Sequence, residues 1–114
     1  MKLIKLSEAI RLGSMIRPQA FTPNEKDGDC ALRGACRAIG IDFDNDVTRQ
    51  VEEWSRPFGL TRCPQCSIMH SYITGCIGIC LNDKHQWTRE KIADWVENIE
   101  TQLNIEVDVT TCHV

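Results

Sequence analysis

CPQCSIMHSYITGCIGICLNDKH, residues 63–85, opens on a Cys-x2-Cys pair, crosses an apolar stretch and closes on a cysteine and a histidine. A zinc ion takes four soft or borderline ligands in a tetrahedron, and a Cys-x2-Cys turn presents two thiolates in that geometry. Cys63 and Cys66 form such a turn, and Pro64 inside it fixes one dihedral and lowers the entropy lost on ordering. Cys80 and His85 supply a second pair, giving Cys-x2-Cys-x13-Cys-x4-His. Four protein ligands leave no position for water or substrate, so the metal expected here is a structural Zn2+. Competing sets use Cys76 or His70. Cys76 leaves only nine residues between the pairs, and on a helix over this stretch His70 falls half a turn from the face that carries Cys80. Cysteine is also a common small core residue, which is the expected use of Cys30, Cys36 and Cys112.

Between the two pairs, Met69, Tyr72, Ile73, Cys76, Ile77 and Cys80 fall at steps of three, one, three, one and three. That stripe predicts a helix over 68–81, ended by Asn82-Asp83. Ile73, Ile77 and Ile79, with helix-weakening Gly75 and Gly78, leave a strand reading open beside it.

Working outward, Thr88 is placed to cap a final helix with Glu90 in its positive first turn and a buried face of Ile92, Trp95, Val96, Ile99 and Leu103. Residues 105–110 alternate as a short edge strand would. Upstream, Ser7 is the expected cap of a first helix with Leu6, Ala9, Ile10, Gly13 and Ile16 on its apolar face, ended by Pro18. Residues 21–28 read as a surface loop. Asp29 is the expected cap of a second helix bearing Leu32, Ala35, Cys36 and Ile39, with Gly40 as its left-handed terminator. Asp44 or Asp46 would cap a third, with Val47, Val51 and Trp54 on one face and Pro57 and Gly59 closing it. The predicted fold class is mainly α: one domain over 1–114, a small bundle of about five helices held by a zinc knuckle within 63–85, with a short C-terminal strand.

Composition agrees with a packed chain. The 114 residues are 42% hydrophobic and 25% charged, with no long low-complexity run. Arg11 and Arg17 interrupt the N-terminal apolar pattern, so a secretory leader is not expected. The most apolar run, 68–81, is too short to span a bilayer. Seven cysteines without a leader suggest metal binding and packing in a reducing cytoplasm rather than a disulfide framework. The net charge of −3 is unevenly spread: residues 1–40 hold seven Lys and Arg against four Asp and Glu, and residues 41–114 hold six against twelve. Phosphate backbones would be repelled by the second part, so any nucleic-acid contact belongs to the N-terminal third.

Cys63-Pro-x-Cys66 together with Leu81-Asn82-Asp83-x-His85-x-Trp87-Thr88-Arg89-Glu90-x-Ile92-Ala93-Asp94-Trp95-Val96 resembles a family of small uncharacterised proteins from bacterial genomes, prophages and phages. Ala9 to Gly13, Pro18 to Phe21 and Cys30-Ala31-Leu32 are similar too, so the resemblance covers most of the chain. In that family a histidine usually stands where this chain has Cys80. A Cys/His exchange is one that a zinc ligand tolerates. The resemblance implies a bacterial or phage-infected cytoplasm but no activity.

Three functions compete. A closed metal site, an acidic balance and no catalytic pair favour a non-enzymatic module that binds another protein, with Trp54 and Trp87 as candidate anchors. A nucleic-acid-binding regulator would use Lys2, Lys5, Arg11, Arg17, Arg33 and Arg37; residues 88–94 are similar to the first helix of a helix-turn-helix, but no recognition helix follows. A thiol enzyme would use Cys30 at a helix N-terminus as nucleophile, with His70 or His85 as base. A dithiol redox role for Cys63 and Cys66 lacks its βαβ context.

Overall fold

Apolar side chains three and four residues apart pack the helices against a shared core. The computed structural model describes residues 5–16, 18–20, 30–41 and 47–103. Helix α1 is Leu6–Ser14, α2 is Ala31–Ala38 and α3 is Val47–Ser55. Strands β1, Thr61–Arg62, and β2, Met69–His70, form an antiparallel hairpin that pairs Thr61 with His70 and Arg62 with Met69. A short turn, α4 (Ile73–Gly75), runs directly into a π-helix, Cys76–Lys84, and α5 (Arg89–Leu103) follows. The described residues are thus mainly helical, with one small sheet.

The buried set joins every helical layer: Leu6, Ala9 and Ile10 from α1, Leu32, Ala35 and Cys36 from α2, Trp54 from α3, Ile73 from α4, Ile77 and Leu81 from the π-helix, and Ile92, Ala93 and Val96 from α5. α1 and α2 cross where Gly13 meets the backbone of Gly34. A Cβ on Gly13 would lie 2.4 Å from both the carbonyl carbon and oxygen of Gly34. Because the obstacle is backbone, the helices would have to part, and Gly13→Ala is expected to destabilise the fold by about 3 kcal/mol, read as a lower midpoint in urea unfolding.

α1 is tied to α5 by polar groups as well. Glu100, almost fully buried, accepts hydrogen bonds from the Ser7 backbone N–H and hydroxyl. That pairing offsets the penalty of burying a carboxylate. Arg11 reaches Asp94 and Glu97 at 2.7 Å each on the surface, where such pairs contribute little.

Several expectations need correction. Ser7 lies inside α1 facing Glu100; Lys5 holds the cap position, without a side-chain cap bond. The α2 cap is Cys30, whose Sγ accepts from the Arg33 N–H at 3.3 Å; Asp29 lies outside the described residues. Ile16 and Leu103, expected on buried faces, are exposed at 52% and 49%. Over 68–81 neither simple reading holds: residues 69–70 are strand, the helix starts at Ile73, and Asn82-Asp83 stay inside the π-helix instead of breaking it. Met69, Tyr72 and Ile79 are consequently solvent-facing.

Other expectations match. Gly40 and Gly59 both take positive φ after their helices, 78° and 63°, where an L side chain would be strained. Thr88 Oγ1 accepts from the Lys91 N–H at 3.1 Å, a side-chain cap for α5. The loop at 21–28, the caps Asp44 and Asp46, the strand at 105–110 and Cys112 lie outside the described residues, as do the side chains of Val47 and Val51. No helix among the described residues is long and apolar enough to cross a membrane.

Candidate metal centre

The hairpin presents the first two thiols. Its turn closes through the Cys63 N–H donating to the Ile68 carbonyl at 2.8 Å and the Ser67 N–H donating to the Cys63 carbonyl at 3.0 Å. Ser67 adopts a left-handed φ of 68° to bring the chain back. Within this turn the Cys66 N–H points at Cys63 Sγ, 3.5 Å away. A backbone donor aimed at sulfur favours the thiolate, the form a metal requires.

The π-helix presents the second pair, and its unusual winding is what makes Cys80-x4-His85 usable. In an α-helix, residues five apart point about 140° away from each other. A π-helix closes hydrogen bonds between residues five apart, which stacks them one turn above one another. Here the His85 N–H donates to the Cys80 carbonyl at 2.7 Å. Gln86 then takes a positive φ of 55°, and the Trp87 N–H returns to the Leu81 carbonyl at 2.8 Å, which ends the helix.

These two devices bring Cys63, Cys66, Cys80 and His85 together, with one ligand atom from each lying within 4.8 Å of all the others. The Cys66 and Cys80 sulfurs are 3.9 Å apart. That is far beyond a disulfide bond, and close to the roughly 3.8 Å separating two sulfurs bound at about 2.3 Å to one tetrahedral zinc. Cys63 and Cys80 are buried, Cys66 and His85 half-buried. Nε2 of His85 is itself buried with no hydrogen-bond partner, an arrangement that calls for an explanation such as a bound ion. The four residues fit a metal site on geometry and donor chemistry.

The electrostatics differ among the thiols. Burial pushes Cys63 up, but the Cys66 and Gln65 backbone N–H groups, with hydrogen bonds to Cys66 and Cys80, outweigh it and leave the thiol below its usual value. Burial, then the hydrogen bond to Cys66, pushes Cys80 up to about 11. A divalent cation at the cluster would oppose that rise by favouring the anion.

Of the competing ligands, Cys76 is fully buried and pushed up to about 12, chiefly by burial, but it does not belong to the mutually adjacent set of four. The helical argument against His70 fails, because His70 belongs to β2. Its Nε2 lies 3.2 Å from Cys80 Sγ. Spacing alone could not place it there, since only the hairpin register carries residue 70 back to the knuckle.

The remaining candidates separate. Cys36 is fully buried in the core and pushed up to about 12 by burial, as a packing cysteine would be. Cys30 is raised as well, because burial outweighs the Arg33 and Leu32 backbone N–H groups that favour its thiolate, and a raised thiol is a poor nucleophile near neutral pH. Trp54, a candidate surface anchor, is instead a core residue. Trp87 is half-buried, with its Nε1–H donating to Oε1 of Gln65 at 2.7 Å, so the knuckle grips the segment that leads into α5. Lys91 sits over the Trp87 ring at 4.1 Å.

Fold and site together define a small helical protein with a Cys3His cluster shared between a hairpin turn and a π-helix. Comparison with family models, curated proteins and solved structures returned no match.

Proposed function

We propose that this chain is a zinc-stabilised, non-enzymatic binding module, an accessory or regulatory factor of phage or prophage origin that acts on another protein in the cytoplasm of a bacterial host. The observation that carries this reading is the mutual approach of Cys63, Cys66, Cys80 and His85 within 4.8 Å. Three sulfurs and one imidazole in a tetrahedral-sized cluster suit Zn2+ better than the oxygen-seeking cations. With all four positions taken by protein atoms, the metal serves folding and leaves binding to the surface.

Leu60, Ile68, Met69 and Tyr72, on and beside the hairpin, are 46–70% exposed, and large apolar groups in solvent are the usual raw material of a protein contact. The alternative, a nucleic-acid-binding regulator, is weakened at its own residues. Arg11 is engaged by Asp94 and Glu97, and Arg33 and Arg37 have interaction partners of their own. Lys2 and Arg17 lie outside the described residues.

Elemental analysis of protein purified without added metal is expected to give one zinc per chain, and a strong chelator should remove it with loss of helical signal. Metal-free protein that folds normally in chelator would refute the reading. A salt-dependent shift with DNA or RNA would transfer support to the regulator alternative.

A further inference from the structure

We infer that His70 is a fifth residue of the metal centre, a hydrogen-bond donor from Nε2–H to the Cys80 sulfur that sets its donor strength towards the metal. The inference rests on the zinc reading above and extends it to the control of one ligand. Its first support is distance. Nε2 of His70 lies 3.2 Å from Cys80 Sγ, within hydrogen-bonding reach of sulfur. His70 does not belong to the mutually adjacent set of four, so its ring nitrogen meets one sulfur of the cluster from outside that set.

The second support is the way the fold holds the ring. Pairing of His70 with Thr61 fixes its backbone on the strand leaving the knuckle. On the other side stands Gly75, where an added Cβ would meet Nδ1 of His70 at 3.7 Å, so the first turn after the hairpin lies directly against the ring. The ring is therefore held between the hairpin and the helix that carries Cys80.

The third support is charge. Three thiolates and a neutral imidazole around a divalent cation sum to −1, and Cys80 is 2% exposed, so water gives its sulfur little help. A metal-bound thiolate only accepts hydrogen bonds, so the facing nitrogen must carry the proton. Partners outside the ligand set commonly tune affinity in this way, by about 10- to 100-fold.

The test uses the full chain loaded with cobalt(II) for spectroscopy and with zinc for competition against a chromogenic chelator. Removing the donor raises the energy of the sulfur lone pairs, so His70→Ala is expected to move the sulfur-to-cobalt charge-transfer band to longer wavelength. Metal affinity should weaken about 10-fold while one metal per chain is retained. His70→Gln, which keeps an N–H donor, should restore most of both effects, a rescue that a merely space-filling role would not give.

Unchanged band and affinity in His70→Ala would overturn the inference while leaving the zinc site standing. Failure of the unaltered chain to bind metal would instead remove the reading beneath it. Complete metal loss in His70→Ala with retention in His85→Ala would also overturn it, by making His70 the ligand. If His70→Ala does not fold, NMR of the unaltered chain loaded with a spin-active cadmium isotope decides. Through-bond coupling to a His85 nitrogen but none to His70, with His70 protonated at Nε2, is expected; coupling to His70 would refute the inference.

Discussion

Cys63→Ser is expected to abolish stoichiometric metal binding and to replace cooperative unfolding with a gradual loss of helical signal. Serine keeps the size of the side chain but offers a hydroxyl that does not ionise near neutral pH, so the tetrahedron loses one of its anionic corners. Structural zinc sites contribute on the order of 10 kcal/mol in small metal-dependent folds, comparable with the whole stability of an ordinary domain. The effect should concentrate in the C-terminal half. The cluster joins the hairpin to the π-helix, and the Gln65–Trp87 bond carries the link on towards α5. Metal content of the purified variant and its circular dichroism during a urea titration check the outcome. Full metal content in the variant would show that another residue supplies that corner.

The next largest effect is expected at Asn82→Ala. Asn82 is fully buried, and its amide joins three distant parts of the chain. Oδ1 accepts from Gln19 Nε2 at 2.7 Å and from the Ala31 backbone N–H at 3.0 Å. Nδ2 donates to the Ala20 carbonyl at 2.8 Å, and to the neighbouring Asp83 carboxylate. Gln19 in turn reaches the Trp87 carbonyl and accepts from the Arg89 N–H, so one side chain braces the start of α2 and the approach to α5 against the π-helix.

Truncation to alanine leaves the Ala31 N–H and the Ala20 carbonyl without this partner. Each unsatisfied buried group costs about 1–3 kcal/mol. A total loss of about 3–5 kcal/mol is therefore expected, measured as the fall in urea midpoint at constant slope with metal present. Asn82→Asp separates shape from donation. It keeps both acceptor positions but sets a buried carboxylate oxygen against the Ala20 carbonyl and the Asp83 carboxylate, and so should destabilise at least as much as alanine at neutral pH.

The contrast between these two sites marks what a linear reading could reach. The four residues of the thiol–imidazole cluster were legible because two close pairs at characteristic spacing are a chemical signature that survives any fold joining them. α2 with its Gly40 terminator and α5 with its Thr88 cap were legible for a similar reason, since their signals lie within a turn or two of the element they define. The hairpin was not. Met69 opens a helical apolar stripe in sequence, and only the closure of the knuckle around Ser67 turns it into the start of a return strand.

By itself, then, the order of residues determined a mainly helical chain and the thiol–imidazole set that meets within it, because helix periodicity, caps and ligand pairs are local properties. Tertiary structure decided the rest: the π-winding that aligns Cys80 with His85, the burial of Asn82 as a junction in place of a break, the use of Ser7 to satisfy Glu100, and the arrival of His70 at a sulfur ten residues away. Each of these depends on partners brought together from separate segments, and the free energy that selects them exists only once the core has closed.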